Sequence, residues 1–487
     1  MLLKPVILWT DALILVLVTA VVAFAWYVSR HEHLRVPWRK VARSRYGMSA
    51  LVVLSAFIVV GLLDSLHFRL ALDSRSNDGR PNYSAEVLSV FDVIAGHLRS
   101  MPEHTYSAPL AVYGYAKEMV IRPDGIEARE FPRLRYGGAH LKDPATEHVP
   151  DLLRRTLAGL GLAAVAWIVL TMLIAAVLSK RDDGGFGTAL DAIMQGRTAV
   201  PWRSMLLTAG ALLAVAGPVV VLSGQYHVLG TDKVGQDVLY ESLKSIRTGL
   251  VIGTLTTLVM LPFAVLLGIM AGYFRGWIDD AITYLYTTLN SIPSVLLIAA
   301  FVLLVQAWMD SRPELFETVT ERADVRLLFL CMILGVTSWT GLCRLLRGEA
   351  LKLRETEYVQ AARAFGVHDW QIIVRHLVPN VMHIVLIAVV MDFSGLVLAE
   401  AVLSYVGVGV DPSMISFGTM INNARLELAR DPMVWWSLAA AFVFMFLLVL
   451  SANLFSDAVR DAFDPRLRTG WSALSFTRRP GALAPAR

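Results

Sequence analysis

Nine long apolar runs dominate this sequence and favour one kind of fold, a bundle of membrane-spanning helices. A helix needs roughly 17 to 25 mostly apolar residues to cross the hydrocarbon core of a bilayer. Only 17% of the 487 residues are charged, against roughly 25% in soluble domains. We therefore predict an all-α polytopic membrane protein with about nine transmembrane helices. The runs cover residues 7–28, 48–66, 156–178, 204–223, 249–272, 281–307, 327–347, 381–405 and 434–456.

The positive charges predict how these helices are oriented. Lysine and arginine accumulate in cytoplasmic loops. In this chain they are concentrated in residues 30–45, 344–375 and 460–468, which fall on one side of the membrane if every run crosses it. We predict that this side is the cytoplasm. The N-terminus then lies outside and the C-terminus inside. Since topology accounts for the net charge of +4, we expect no nucleic-acid partner.

A polar segment, residues 67–155, separates the second and third runs and is predicted to form a small external domain. Within it, the stretch from Ser84 to Leu98 has a helical pattern, with Ser84 as a possible N-cap. Four histidines occur there, but their spacing matches no metal-ligand pattern, so we expect no metal site. They are His97, His104, His140 and His148.

The residues between the seventh and eighth runs predict a short helix pair outside the membrane. Good helix formers precede Gly366, which suits the position just after a helix, and Asp369 can cap a second helix that Pro379 would end. Ala361 and Ala362 leave a helix face on which another protein could sit closely. Taken by itself, this stretch could also be an ordinary amphipathic cytoplasmic loop.

The spacing of these residues resembles the EAA loop of ABC-importer permeases. That family's pattern is Glu-Ala-Ala, three residues, Gly, nine residues, Ile, one residue, Leu-Pro. This chain has Gln360 for Glu, His376 for Ile and Val378 for Leu. The His-x-x-Pro-Asn form resembles the peptide-importer branch. In the family this loop docks in a cleft of the ATPase subunit, which implies the same role for Tyr358, Gln360, Ala361, Ala362, Gly366, His376, Pro379 and Asn380.

A second motif precedes the fifth run and strengthens the resemblance. It is similar to the His-Pro-Leu-Gly-Thr-Asp, two residues, Gly-Arg-Asp signature of dipeptide and oligopeptide permeases, with Val228 in place of Pro and Gln236 in place of Arg. Its residues predict an outward-facing, glycine-rich turn that fixes a loop at the transport mouth. The candidates in this external signature loop are His227, Gly230, Thr231, Asp232, Gly235 and Asp237.

The resemblance extends over about residues 224–468 and implies a type I permease core of about six helices, plus about three extra helices and a small external domain. Residues 48–66 look like the family's first helix, so the rest of the N-terminal half is additional. We expect these additions to brace the permease or contact its partner, with a direct role in handling substrate as the alternative. The implied parts are an extra helix with a basic cytoplasmic loop (1–47), the first core helix (48–66), a periplasmic inserted domain (67–155), two extra helices (156–223), the permease core (224–468) with its coupling loop (350–380), and a disordered cytoplasmic tail (469–487).

The resemblance also implies partners and a location. The chain would be a permease subunit of an ATP-driven importer in the bacterial inner membrane, with its N-terminus periplasmic. The implied partners are a second homologous permease, two cytoplasmic ABC ATPases, an extracytoplasmic binding protein and membrane lipid. The chain has no Gly-x-x-x-x-Gly-Lys-Ser/Thr phosphate loop. We therefore expect it to bind no cofactor and to have no catalytic site, with ATP and Mg²⁺ on the ATPases.

The sequence motifs define the class of transporter more closely than its substrate. Di- and oligopeptides are the expected cargo, and nickel, opine or antibiotic-peptide uptake are alternatives within the family. A secondary transporter or a membrane receptor is the alternative from another class, although no internal repeat is found and neither would need a docking loop.

Three residues inside the runs are candidates for the transport pathway or its gate. Asp392 and Glu400 lie in the eighth run, where an ionised carboxylate costs at least about 2 kcal/mol unless it is paired or hydrated. Both could face a central cavity, or pair with basic groups. We predict Asp392 as the pathway residue and a structural or gating role for Glu400. Pro293, in the sixth run, should kink or break its helix.

Overall fold

The computed structural model describes residues 3–75, 81–121, 127–181, 185–316 and 318–463. The predicted tail, residues 469–487, lies outside the described residues. The helices within these residues are α1 (Trp9–Arg30), α2 (Glu32–Val41), α3 (Arg45–Asp64), α4 (Val90–Ile94), α5 (Gly96–Arg99), α6 (Pro144–Arg181), α7 (Phe186–Gln195), α8 (Trp202–Ser223), α9 (Val238–Phe274), α10 (Trp277–Ser291), α11 (Ser294–Asp310), α12 (Val319–Arg354), α13 (Glu357–Ala364), α14 (Asp369–Ile372), α15 (Val378–Tyr405), α16 (Phe417–Glu427) and α17 (Trp436–Phe463).

Within the described residues, eight helical segments are long and apolar enough to cross a membrane, and α10 with α11 can form a ninth span. The predicted helical membrane fold is thereby confirmed. The sixth predicted span, 281–307, is not one straight helix, because α10 and α11 are bent by 87°. Pro293 lies at the break and precedes α11, as predicted for a residue that cannot donate a backbone hydrogen bond. In contrast, α9 continues through Pro262.

Glycines bring the core helices α9 and α12 into close contact. A methyl group on Gly268 would lie 2.8 Å from the Cys343 carbonyl oxygen, and one on Gly272 would lie 2.6 Å from the Ala350 Cβ. Small residues four apart allow membrane helices to approach each other closely, where dispersion contacts replace the hydrophobic driving force that lipid does not supply. The extra helices α6 and α8 also pack closely at a glycine, since a methyl group on Gly159 would lie 2.5 Å from the Pro218 Cα. This hairpin contacts the core at α3 through α8.

A buried ionic cluster holds the first extra helix against the core. Arg247 of α9 donates through Nη2 to Asp11 of α1 at 2.6 Å and lies 3.6 Å from Asp324 of α12. His67 Nδ1 lies 2.7 Å from the second oxygen of Asp11. The backbone N–H of Thr10 donates to Asp324 at 3.1 Å. Buried charges persist only when they are paired, so this cluster fixes one end of α1, whose other face exposes mostly apolar side chains.

The segment between α3 and α6 contains β-strands, which the sequence did not predict. β2 (His67–Arg75) pairs antiparallel with β1 (Leu3–Val6), β3 (Pro81–Tyr83) and β4 (Leu88–Ser89), and β5 (Glu118–Ile121) pairs with β6 (Glu127–Glu130). The chain ahead of α1 is therefore part of the same small sheet. The sheet and the short helices α4 and α5 form the inserted domain, here residues 67–143.

The predicted helix start at Ser84 is wrong. α4 begins at Val90, after strand β4, and Ser89 is its N-cap. The Ser89 hydroxyl accepts from the Asp92 N–H, and the Asp92 carboxylate accepts from the Ser89 N–H, which forms a complete capping box. Asp92 also accepts from the Tyr240 hydroxyl at 2.6 Å and pairs with Lys244, so the same residue attaches the inserted domain to α9.

A second buried cluster attaches the inserted domain near the start of α9. His227 Nδ1 lies 2.8 Å from Asp237, and its Nε2 lies 3.4 Å from Glu103 of the inserted domain. Burial by itself would lower the pKa of His227, but the two carboxylates raise it to about 9. Burial would raise the pKa of Glu103, but His227 and the N–H groups of residues 135–137 lower it to about 2. The protonated histidine therefore stabilises this junction between the inserted domain and the core.

The stability of the purified chain should depend on the charge of His227. Because its folded-state pKa lies above the ordinary 6.5, its contribution is complete below pH 6.5 and is lost as the pH rises through about 9. The free energy involved is on the order of 3 kcal/mol. We expect the thermal unfolding midpoint in detergent to fall between pH 6.5 and 9.5 for the wild type. His227→Gln should start lower and change little over this range.

The matched control is His104→Gln, because the side chain of His104 is 88% exposed. This variant should keep the wild-type slope of midpoint against pH. A slope in His227→Gln as steep as that of the wild type would show that another group titrates.

Candidate functional site

The helix pair predicted between the seventh and eighth spans is present as α13 and α14. Gly366 has φ +76°, the left-handed conformation that commonly ends a helix, just after α13. The predicted cap at Asp369 is wrong, because His368 caps α14 by accepting from the Trp370 N–H at 3.2 Å. Asp369 instead accepts from the Tyr273 hydroxyl at 2.6 Å, which connects the loop to the end of α9.

The prediction that Pro379 ends the second helix is also wrong. From α14 the chain passes through a π-helical turn, Ile373–Leu377, directly into α15. Pro379 is the second residue of α15 and directly follows this π-helical turn, a local irregularity that lets a continuous helix contain a residue without a backbone N–H. The coupling loop is consequently continuous with the eighth span. A displacement of α14 therefore displaces the start of α15.

The inner face of the coupling loop is buried in the core. Val359, Ile372 and Leu377 are each at most 1% exposed and belong to one apolar cluster with residues of α9 and α12. Arg354 donates to the carbonyl oxygen of Tyr273 at 2.7 Å, which joins the ends of α12 and α9. These contacts fix the helix pair to α9 and α12 at once.

The outer face of the same loop carries aromatic side chains that the described residues leave exposed. Phe365 is 88% exposed, Trp370 52% and Tyr358 44%, and Ala361 is also exposed. Large apolar groups exposed at one place outside the membrane typically mark a protein contact. The sequence analysis missed Phe365 and Trp370, although two aromatic residues beside Gly366, between apolar runs, were a usable signal.

Three of the predicted loop residues lie together and brace α13 against α15. Asn380 donates through Nδ2 to the Tyr358 hydroxyl at 3.1 Å and to the His376 carbonyl oxygen at 2.7 Å. The rings of Tyr358 and His376 are 6.0 Å apart. Gln360 donates to the carbonyl oxygen of Glu355 at 3.3 Å. Ala362 is partly buried against the apolar cluster, so Ala361 and Ala362 do not share one open face as predicted.

The external signature loop, residues 227–237, lies between the inserted domain and α17. Thr231 Oγ1 accepts from the Ser107 N–H at 2.7 Å and donates to the Thr105 carbonyl oxygen at 2.9 Å. The Trp436 indole donates to the Thr231 carbonyl oxygen at 2.9 Å. The predicted turn is therefore present, and it holds the insert to the core.

The two glycines of this loop are required by geometry. Gly230 has φ +76° and Gly235 has φ +78°, a conformation that favours glycine. A methyl group on Gly230 would lie 2.5 Å from the carbonyl oxygen of Ser107, and one on Gly235 would lie 1.9 Å from that of Glu103. Asp232 accepts from the Gln236 N–H at 2.7 Å within the turn. Asp237 caps α9 by accepting from the Leu239 N–H at 2.8 Å.

The two carboxylates of α15 have different surroundings. Glu400 is 1% exposed, and its Oε1 accepts from the hydroxyls of Ser404 at 2.7 Å and Ser416 at 2.9 Å. It therefore connects α15 to the start of α16 rather than lining an open space within this chain. Asp392 is partly exposed, and none of the described residues donates a hydrogen bond to it or pairs with it. Pro293 is exposed at the α10–α11 corner.

The four histidines of the inserted segment do not lie around a common point. His140 lies 2.7 Å from Asp151, His97 lies 3.2 Å from the Ser223 hydroxyl, His104 lies 3.3 Å from Glu118, and His148 contacts the Leu110 carbonyl oxygen at 2.9 Å. Within the described parts of the chain, no group of three or more His, Cys, Asp or Glu is placed to hold a metal ion.

Known proteins resemble this chain over its core. Residues 264–469 match the family model described as binding-protein-dependent transport system inner membrane component. The chain is 32% identical to the oligopeptide transport system permease protein OppC of Mycobacterium tuberculosis, over 50% of this chain and 78% of that protein. It is 31% identical to the glutathione transport system permease protein GsiD of Pectobacterium atrosepticum, over 50% of this chain and 74% of that protein.

A third relative is the dipeptide transport system permease protein DppC of Bacillus subtilis, 28% identical over 50% of this chain and 69% of that protein. These relatives and the matching family model bear out the resemblance first seen in the coupling loop and the external signature loop. The chain belongs to the family of binding-protein-dependent transport system inner membrane components and is a permease subunit of an ABC importer.

Proposed function

We propose that this permease imports di- and oligopeptides, or similar small solutes, together with a second homologous permease. The relatives named above transport oligopeptides, glutathione and dipeptides, which are all short peptides. The observation that carries the transport mechanism is the coupling loop itself, whose inner face is buried in the core while its outer face exposes Phe365 and Trp370.

Two cytoplasmic ABC ATPases supply the energy, and they hold the ATP and Mg²⁺. Their closure on ATP pushes on α13 and α14, and the continuous helix through Ile373–Leu377 transmits the displacement to α15. The two permeases then change from an inward-facing to an outward-facing arrangement, receive the solute from an extracytoplasmic binding protein, and return after hydrolysis. ATP acts by shifting the populations of these two states.

The contacts support one orientation in the inner membrane. The inserted domain and Trp436, the first residue of α17, meet at one end of the bundle. At the other end, Val41 of α2 packs with Val459 of α17 and Leu386 of α15, near the coupling loop. The coupling-loop end is cytoplasmic, because the ATPases dock there. The inserted domain is then periplasmic, and α1 starts on the periplasmic side.

Asp392 is proposed to line the passage between the two permeases. It lies beside a stripe of α15 that this chain leaves exposed, formed by Met391, Gly395, Leu398 and Val402. The second permease is the partner that covers such a face. A carboxylate there, without a partner in the described chain, would attract the N-terminal ammonium of a peptide. Glu400, whose Oε1 accepts from two serine hydroxyls inside the chain, keeps a structural role.

Phe365→Glu should prevent the ATPases from docking without disturbing the fold. The Phe365 side chain is 88% exposed, so the change costs the isolated chain little, yet it introduces a charge at the centre of the proposed contact. We expect the amount of ATPase that copurifies from native membranes in mild detergent to fall by at least about tenfold, since 1.4 kcal/mol suffices for a factor of ten.

The matched control is Phe131→Glu, an exposed aromatic residue of the inserted segment at the opposite end. It should retain the ATPases, and both variants should retain the second permease. Copurification of ATPase with Phe365→Glu at the wild-type level would exclude this face as the docking surface.

Asp392→Asn should change which peptides are taken up. An ammonium–carboxylate contact in the passage would favour peptides with a free N-terminus by about tenfold or more, as expected for a hydrogen bond to a charged group. We expect wild-type vesicles to take up a dipeptide in preference to its N-acetylated form, and Asp392→Asn to lose this preference while still copurifying with the ATPases. Glu427→Gln, at the end of α16, is the control and should keep it. An unchanged preference in Asp392→Asn would remove this residue from the pathway.

A further inference from the structure

The short segment between the first two spans carries an unusual density of free positive charge. Residues 30–45 contain six arginines or lysines and a single acidic residue, Glu32. All six cations are exposed, and the five that follow Arg30 form no ion pair with any residue that the structure describes. We call these five the α2 basic patch: Arg35, Arg39, Lys40, Arg43 and Arg45.

The fold holds this patch in a fixed orientation. Pro37 and Val41 of α2 are buried, and Val41 packs with Val459 and Ala462 at the end of α17. The Trp38 and Phe463 rings meet edge to face at 5.5 Å. With one face of α2 thus buried, the cations are held on the opposite face, as in an amphipathic helix that lies along a membrane surface.

The neighbouring residues place the patch at the level of the lipid headgroups. Just before it, at the end of α1, Trp26 and Tyr27 are 58% and 49% exposed, and the Arg30 guanidinium lies 3.9 Å from the Trp26 ring centre. Tyr46, just after it at the start of α3, is 81% exposed. Tryptophan and tyrosine are enriched at the boundary between hydrocarbon and water. The patch therefore lies between two aromatic anchors at one membrane surface.

Three cations in and near the coupling loop differ from these because they have partners within the chain. Arg347 donates to Asp279 at 2.7 Å, Arg354 to a backbone carbonyl oxygen, and Lys352 pairs with Glu349 at 3.0 Å. Arg363 and Arg375 of the loop, in contrast, are exposed and form no ion pair with a described residue. What distinguishes the α2 basic patch is therefore the number of its cations and its position between two spanning helices, where the bilayer can supply an anion.

We propose that the α2 basic patch binds the headgroups of anionic phospholipids, such as phosphatidylglycerol or cardiolipin, beside the α1–α3 junction. Clusters of four or more cations next to a spanning helix attract anionic lipids, each cation contributing a factor of about five in affinity. Lipid bound there would hold the cytoplasmic ends of α1, α3 and α17 together.

The test uses the full chain in phosphatidylcholine bilayers that contain a spin-labelled lipid. Electron paramagnetic resonance measures how strongly the protein selects spin-labelled phosphatidylglycerol over spin-labelled phosphatidylcholine. The wild type should select phosphatidylglycerol by at least about tenfold, and 0.5 M NaCl should weaken the selection, because salt screens surface charge. Arg35→Gln, Arg39→Gln, Lys40→Gln and Arg43→Gln together should abolish it.

The matched control removes the same charge from exposed cations of the opposite end: Lys117→Gln, Arg129→Gln, Lys142→Gln and Lys233→Gln. This control variant should select phosphatidylglycerol as strongly as the wild type does. Three results would overturn the proposal: no selection by the wild type, equal loss in both variants, or an unchanged selection in the patch variant with loss of copurifying ATPase. The last would assign the patch to the ATPases instead. A wild-type selection that 0.5 M NaCl leaves unchanged would also overturn the proposal, even if the patch variant fails to fold.

Discussion

The burial of Val359, Ile372 and Leu377 beneath the ends of α9 and α12 is the contact on which the rest of the coupling loop depends. It positions α13 with its apolar inner side satisfied, so the aromatic residues of the other side remain available to a partner. It also keeps the π-helical turn continuous with α15. Packed groups of this kind move as a unit, because a close-packed interior transmits displacement rather than absorbing it.

Two of the additions to the permease core, α1 and the inserted domain, are attached by polar contacts at the end of the bundle opposite the coupling loop. α1 is held by Asp11 and Arg247, and the inserted domain by Glu103, His227 and Asp92. Apolar side chains gain little by leaving lipid for another helix, so charged and hydrogen-bonded groups provide what specificity these junctions have. The external signature loop takes part in this attachment, since Gly235 leaves room for the Glu103 backbone.

Much of the fold followed from the sequence, and the failures have physical causes. Apolar length depends only on local composition, so the spans were predictable. The spacing of Ala361, Gly366 and Pro379 identified the loop, but the role of Pro379 depended on a π-helical turn that tertiary packing imposes. Strand β2 was missed because its partner β1 lies more than 60 residues away in the chain. The Asp11–Arg247 cluster joins residues 236 positions apart, which no local pattern reveals. Phe365 was within reach of sequence analysis, because it is a large aromatic residue between two apolar runs, directly before the glycine predicted to end a helix.

The most direct measurement of the coupling mechanism is solute transported per ATP hydrolysed in proteoliposomes of the complete importer, with two glycines inserted between Leu377 and Val378. The insertion breaks the continuity of the coupling loop with α15 but leaves the exposed face of α13 and α14 unchanged. We expect the ATPases to bind and hydrolyse ATP while transport falls to background. Transport per ATP at the wild-type level would contradict the conclusion that displacement of the loop moves α15.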